Sequence, residues 1–269
     1  PVHLPMTTVS VILPVYNAGH TVGRAVQSIL DQTHHDLELI IVNDGSTDST
    51  LEVLNSFRDS RIRLLDREHL GVASASNTGF SVCQSPVVAR MDADDWSFPE
   101  RLELQLGLLD SLTLDVVGCQ VRILDDQGQP VPSMARYEDW INRETLQPDT
   151  ILENRFVELP IVNPTILARR EYFEYGFREN DFPEDYDLFL RAAEVGTRFG
   201  KVEKPLHQWY ESPTRLTRRD PRYSDQAFDR CRKHYLRRGP LASIAEVDVW
   251  GAGKTGKSWI KWLQQEGIL

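Results

Sequence analysis

The sequence predicts an α/β fold, a mostly parallel sheet with helices on both faces. Three observations predict it. Hydrophobic periodicity alternates between strand and helix over the first 125 residues. The strands are continuous apolar runs rather than alternating ones, which marks strands buried on both sides. Polar residues collect at the carboxyl ends of those strands, where open α/β sheets bind ligands.

The elements follow in order. Val9–Val15 (VSVILPV) is the first strand, and Thr21–Leu30 sets Val22, Ala25, Val26, Ile29 and Leu30 on one helical face. Leu37–Val42 is the second strand, ending in the turn-rich Asn43-Asp44-Gly45-Ser46-Thr47-Asp48, and a helix spans about Ser49 to Phe57. Ile62–Leu65 is the third strand, Gly71–Cys83 a helix of small residues and Val87–Met91 the fourth strand. Pro99 opens a helix with Leu102, Leu106 and Leu109 at helical spacing. Val116–Leu124 and Thr165–Ala168 are strands, separated by a Pro- and charge-rich stretch of loop and some helix. Asp187–Val195 is a helix, Val202–Tyr210 a strand, and a helix lies near 224–238. At the end, VDVWG followed by KSWIKWLQQ has the form of a strand and a helix.

Composition narrows the function. The chain has 269 residues, of which 40 are acidic and 30 basic, so its net charge is −10. Strong non-specific nucleic-acid binding is excluded on electrostatic grounds. Cys83, Cys119 and Cys231 are odd in number and far apart, which speaks for buried free thiols and against a disulfide framework or structural zinc. No apolar run reaches the roughly 20 residues of a membrane span. Pro1–Thr8 carries no basic leader segment, so a cytoplasmic protein is expected.

Asp92-Ala93-Asp94-Asp95 follows a strand and precedes a helix. Three carboxylates in four residues repel one another unless something offsets the repulsion, and hard oxygen ligands suit Mg²⁺ or Mn²⁺. A solvated acidic turn, with Asp95 capping the next helix, is the plainer reading. Asp44 is either a turn residue or an acceptor for a nucleobase N–H. Glu184-Asp185 is either a helix cap or a general base held at a helix start.

Five segments in register decide more than any one: VSVILPVYN, NDGSTD, GVASASNTG, MDADDWSFPERL and PEDYDLFLRAAEVG. Together they resemble glycosyltransferase family 2, whose members have the GT-A fold, over about residues 7–217. The resemblance implies a metal-dependent inverting transferase of hexosyl type. It implies a nucleotide-sugar donor, most often a UDP-sugar, an acceptor that is a saccharide or lipid-linked saccharide, and a place in polysaccharide synthesis. Pro14 and Tyr16 then line the base pocket and Asp44 matches the uracil-binding Asp. Asp92 and Asp94 match the DXD motif, with Asp94 the direct metal ligand and Asp92 near ribose or metal. Asp185 matches the catalytic Asp, and Glu184 is its neighbour. Arg215 matches a stretch that closes over the donor diphosphate. Ser76 stands where relatives often carry Arg, which shifts the diphosphate toward the metal or Arg90. His207 is a further metal-ligand candidate, against the commoner structural role of a strand histidine.

The implied organisation is a GT-A domain over 1–240 and the start of a truncated Rossmann-like unit over 241–269. Within the first, 7–115 is the nucleotide-sugar half, 116–217 the acceptor half and 218–240 a basic helical extension. Residues 215–239 hold nine Lys/Arg against three Asp. That makes a solvated basic face or a peripheral contact with anionic lipid headgroups. Two alternatives stand beside the transferase. Gly251–Ser258 (GAGKTGKS) matches both the P-loop and the dinucleotide pattern, so a nucleotide-binding module is one, although only eleven residues follow Ser258. A sugar-nucleotide-binding protein without catalysis is the other. A sugar nucleotidyltransferase is disfavoured, because its first loop is Gly- and Arg-rich and this one reads PVYNAGHT.

Overall fold

The computed structural model describes residues 9–268, Thr214 and Ala252 excepted. Its strands are β1 (Val9–Val15), β2 (Leu37–Asp44), β3 (Ile62–Arg67), β4 (Val87–Arg90), β5 (Trp96–Ser97), β6 (Val116–Leu124), β7 (Leu167–Arg169) and β8 (Phe199–Tyr210). All eight join one sheet in the order β3-β2-β1-β4-β7-β6-β8-β5. The pairs β2–β3, β1–β2, β1–β4 and β6–β8 are parallel. β7 runs antiparallel to both β4 and β6, and the short β5 is antiparallel to β8. The chain winds from β1 outward to β3 and then returns to place β4 on the other side of β1. The carboxyl ends of β1 and β4 therefore flank a switch point, the crevice where such sheets take ligands.

Burial explains the unbroken apolar strands. Ile12, Ile40, Val42 and Val88 face one core, while Val11, Leu13, Leu39, Ile41 and Ala89 face another on the opposite side of the sheet. The covering helices of this half are α1 (Val22–Leu30), α2 (Thr50–Ser56), α3 (Val72–Val82) and α4 (Arg101–Ser111). The small residues of α3 let it lie close to the sheet. A Cβ on Gly79 would stand 2.6 Å from Ile12 Cγ2 and 3.3 Å from Val42 Cγ2, both in the core. Gly79→Ala gains about 1 kcal/mol of helix propensity but overpacks this contact at about 1–3 kcal/mol. We expect net destabilisation, read as a lower urea midpoint; an unchanged or higher midpoint would show that the contact yields.

The middle of the chain holds the short helices α5 (Ala135–Asp139) and α6 (Pro148–Glu153), with a π-helical turn at Trp140–Glu144 between them. Buried Lys201 on β8 fastens this turn, donating to the Ile141 carbonyl at 2.6 Å and to Thr145 Oγ1. α7 (Arg170–Glu174) follows β7, and α8 (Glu184–Glu194) precedes β8. After β8 come α9 (Leu216–Arg219), α10 (Asp225–Arg238) and α11 (Lys254–Gln265). Cys83, Cys119 and Cys231 are buried and unpaired. Among the described residues, no helix is long and apolar enough to cross a membrane.

Several expectations are corrected. The segment VDVWG at 247–251 forms no strand, and Trp250 is fully exposed. A P-loop or dinucleotide site needs a strand leading into its glycine turn, so Gly251–Ser258 lacks that support although α11 forms. α8 starts at Glu184 rather than Asp187, which brings Glu184 and Asp185 into its first turn. β2 and β3 each run two residues further than their apolar content indicates, because Asn43–Asp66 and Asp44–Arg67 continue the ladder with polar residues. On the basic extension, Arg222, Arg232, Arg237 and Arg238 are ion-paired with Asp220, Asp229, Glu266 and Glu194. Pro1–Thr8 lie outside the described residues.

Candidate active site

At the carboxyl end of β2 the side chains of NDGSTD tie two neighbouring loops. Asn17 N donates to Ser46 Oγ (2.9 Å), Ala18 N to Thr50 Oγ1 (2.8 Å) and Gly19 N to Asp48 Oδ2 (3.0 Å). In return Asn17 Oδ1 accepts from Thr47 N at 2.8 Å. The loop after β1 is thus held by short polar side chains from the loop after β2, and Asn17 takes the left-handed backbone (φ 49°) that Asn tolerates.

Asp44 holds the turn after β3. Its Oδ1 accepts from Leu70 N (3.1 Å) and pairs with Arg67 Nε (3.0 Å). Oδ2 accepts from Gly71 N (2.7 Å) and lies 2.8 Å from His69 Nδ1. Gly45 permits the approach, since its φ is +70° and a Cβ there would stand 2.7 Å from His69 N. Four partners fill the lone-pair directions of one carboxylate. A nucleobase N–H therefore reaches Asp44 only by displacing one of them. His69, half exposed and stacked 3.9 Å from the Tyr16 ring, is the replaceable one. Pro14 is buried in β1, and Tyr16 is exposed at its end.

The acidic turn after β4 resolves into two kinds of aspartate. Asp95 is fully buried and fully partnered: Oδ2 lies 3.0 Å from His207 Nε2, and Oδ1 accepts from Tyr210 N (3.0 Å) and Arg215 Nη1 (3.1 Å). Burial would raise its pKa, but Arg215 and then His207 outweigh it and hold the carboxylate at about 2. Asp92 and Asp94 remain partly open. Arg90, buried beneath them, gives Asp92 Oδ1 a guanidinium contact at 3.0 Å. Asp94 is pushed up to about 7, by burial first and then by the charge of Asp95. The three carboxylates each offer an oxygen within 4.8 Å of the others, a set able to hold a metal ion. The donor chemistry fits a hard divalent cation. The position is already one that attracts positive charge, since Arg215 lies 3.4 Å from Asp94 Oδ2 and 3.7 Å from Asp92 Oδ2.

Asp185 sits in the first turn of α8, where its Oδ1 accepts from Tyr186 N at 2.7 Å. Burial, then the neighbouring charge of Glu184, raise its pKa to about 8; the Tyr186 N–H opposes, and Asp92 adds a further upward push. That last effect ties Asp185 electrostatically to the acidic turn. Glu184 is buried, with the Tyr223 hydroxyl 2.7 Å from both of its carboxylate oxygens, while Asp185 is half-buried and accepts from the backbone of its own helix.

Fold and sequence spacing thus gather Tyr16, Asp44, Asp92 and Asp94 at the carboxyl end of the sheet, with Asp185 electrostatically coupled to it. Asp95 is no helix cap but the buried hub of the acidic turn. His207 turns its Nε2 to Asp95 and is itself fully buried, so it orients a carboxylate instead of facing the open cup. Arg90 supports Asp92 from below. Ser76, at the position of the missing Arg, is buried and bonds back to the Val72 carbonyl at 2.7 Å. Sequence reasoning missed Arg67 and His69. Both follow the strand-end rule once β3 is extended to Arg67.

A nucleotide-type switch point with a carboxylate cup beside it, on this strand order, is the GT-A architecture. The family model for glycosyl transferase family 2 matches residues 10–177, and the chain belongs to that family. It is 34% identical over 192 residues to a chondroitin synthase of Pasteurella multocida, and equally to a hyaluronan synthase of that species. Those alignments cover 70% of this chain but 19% of each relative, so the chain spans about a fifth of their length. The putative glycosyltransferase EpsE of Bacillus subtilis is 29% identical over 243 residues, covering 84% of this chain and 82% of EpsE. Among solved structures, S. aureus TarS 1–349 in complex with UDP-GlcNAc superposes with a TM-score of 0.67 at 18% identity, over 86% of this chain and 66% of that one. The mannosyltransferase PcManGT from Pyrobaculum calidifontis, in complex with GDP-Man and Mn²⁺, gives 0.60 at 17% identity, over 97% and 80%. At these identities the likeness is one of fold.

Proposed function

We propose that this chain is an inverting hexosyltransferase, moving a sugar from a nucleoside-diphosphate donor, a UDP-sugar, to a saccharide or lipid-linked saccharide hydroxyl. The observation that carries the reading is the pairing of an open carboxylate cup at the end of β4 with a charge-perturbed Asp185 at the start of α8. Relatives named as polysaccharide synthases and neighbours bound to UDP-GlcNAc and GDP-Man support it.

Asp92 and Asp94 would hold a divalent cation, Mn²⁺ or Mg²⁺, with Asp94 the direct ligand. When bound, it neutralises the charge that develops on the departing diphosphate. Pro14 and Tyr16 line the base pocket, and the base N–H takes the place of His69 on Asp44. Asp185 accepts the acceptor's hydroxyl proton as that oxygen attacks the anomeric carbon and the bond to the diphosphate breaks. One base and one displacement give inversion. Asp95 and His207 fix the cup from behind. A cytoplasmic site of action fits the free thiols. Contact with anionic lipid would rest on the basic side chains of α10 left outside its ion pairs.

The base must be ionised to act. With Asp185 held near 8, kcat/KM should rise about tenfold per pH unit below that value and level off above it. A profile flat from pH 6 to 9 would exclude Asp185 as the titrating base. The identity of the donor is tested by calorimetry against UDP, GDP, ADP, dTDP and NAD, with and without Mn²⁺. Saturable binding of one diphosphate, lost on chelation and in Asp94→Ala, supports the reading. Binding of ADP or NAD that survives Asp94→Ala and is lost in Gly253→Val would return the function to the C-terminal glycines.

A further inference from the structure

The acidic cup already contains a cation. Arg215 leads into α9, and its guanidinium reaches all three aspartates: Asp95 Oδ1 at 3.1 Å, Asp94 Oδ2 at 3.4 Å and Asp92 Oδ2 at 3.7 Å. The contacts are graded. Nη1 is firmly seated, donating to Asp95 and, at 2.8 Å, to the Tyr210 carbonyl. Nη2 only leans toward Asp92, at a distance beyond a good hydrogen bond. The side chain is 9% exposed and lies 5.2 Å from the Trp209 ring centroid, so it is packed in place. The carboxylate oxygens it faces on Asp92 and Asp94 belong to the two aspartates that remain open to a metal ion.

We infer that Arg215 is the resident counter-cation of the cup, and that it must be handed from the aspartates to the donor's diphosphate before a divalent cation settles there. Three points lead to this. A guanidinium and a divalent cation on the same Oδ2 atoms repel at close range in a site only partly open to water. A guanidinium matches diphosphate oxygens as well as carboxylates, by paired N–H donors. Nη1 anchors Arg215 at the rim on Asp95 and Tyr210 and faces Asp94 Oδ2 only at 3.4 Å, while Nη2, 3.7 Å from Asp92 Oδ2, is free to change partner, so both contacts to the open aspartates are the weak ones. The consequence is linkage: metal alone binds poorly, nucleotide alone binds poorly, and each admits the other by an equal factor. The cup is thereby kept neutralised until the metal and a diphosphate arrive together.

This rests on the transferase reading above, and the test separates the two. Free Mn²⁺ is measured by electron paramagnetic resonance in titrations of the full chain, with and without saturating UDP. For the wild type we expect weak Mn²⁺ binding that tightens strongly with UDP. For Arg215→Gln we expect Mn²⁺ alone to bind about tenfold or more tighter, since the competing charge is gone. UDP with Mn²⁺ should bind more weakly, so the linkage factor falls. Arg215→Lys keeps the charge at Asp95 but loses the second nitrogen. It should give an intermediate Mn²⁺ affinity, and it carries the test should Arg215→Gln fail to fold. Wild-type Mn²⁺–UDP binding combined with unchanged or weaker free-Mn²⁺ affinity in both variants overturns the inference alone. Absence of Mn²⁺ binding to the wild type with UDP, GDP, ADP or dTDP overturns the transferase reading and this inference with it.

Discussion

Asp185→Asn should lower kcat by about 10²–10⁴-fold while donor binding persists. Asparagine keeps the shape of the side chain and an oxygen to accept the Tyr186 N–H. It removes only the ability to take a proton. A sugar hydroxyl is a poor nucleophile at neutral pH, so the loss falls on the chemical step and leaves the binding of the nucleotide alone. The measurement is release of nucleoside diphosphate under saturating donor, paired with calorimetry of the same variant. The retained binding is the informative half, since it distinguishes a base from a residue that merely supports the site. A sugar-nucleotide-binding protein without catalysis would show no turnover to lose in the wild type. Glu184→Gln provides the contrast: Glu184 is buried against Tyr223, so its replacement should act mainly through stability.

Asp95→Ala should destabilise the fold by about 3–5 kcal/mol, whereas Asp94→Ala, three bonds of sequence away from the same charges, should not. Asp95 is the only buried member of the acidic cup, and three donors converge on it. Its removal leaves a buried imidazole and a backbone N–H without this acceptor and takes from the buried Arg215 guanidinium its nearest carboxylate. For a chain of this size that corresponds to a fall in melting temperature of roughly 10 °C. Asp94 is partly exposed and carries a pKa raised by burial and by Asp95, which means that its ionised form is disfavoured in the fold. Neutralising it relieves repulsion. Thermal melts of both variants near pH 8 check the pair, and equal losses would contradict the division of labour between the two neighbours.

The first part of the sheet was legible because its strands are buried on both faces. Two-sided burial writes continuous apolar runs, and these place β1, β2 and β4 and, through the strand-end rule, Asp44, Asp92 and Asp94. The rule failed where a ladder continues through polar residues. Asn43–Asp66 and Asp44–Arg67 pair within the sheet, and so Arg67 and His69 were hidden. The start of α8 was misplaced for a related reason: Glu184 and Asp185 look like a polar lead-in but are the first turn, and Glu184 is buried by a tyrosine 39 residues away. The mixed half of the sheet was less readable still. β7 is three residues long and β5 two, and neither carries a pattern of its own. The hub role of Asp95 depends on His207 and Arg215, more than 110 residues downstream, a pairing that no local pattern encodes.

The interlocked loops after β1, β2 and β3 have a consequence for how such a chain diversifies. Ser46, Thr47, Asp48 and Thr50 brace residues 17–19, and Asp44 braces residues 67–71, so this rim is stiff before any ligand arrives. A stiff rim surrenders little freedom on binding. By contrast, residues 132–156 are built from short helical pieces clipped to the sheet by a few side chains such as Lys201 and Asn142. The two stretches therefore differ in how much replacement the fold tolerates. The braced rim behaves as a fixed frame, and the 132–156 stretch as a lightly clipped segment that can be exchanged without rebuilding it.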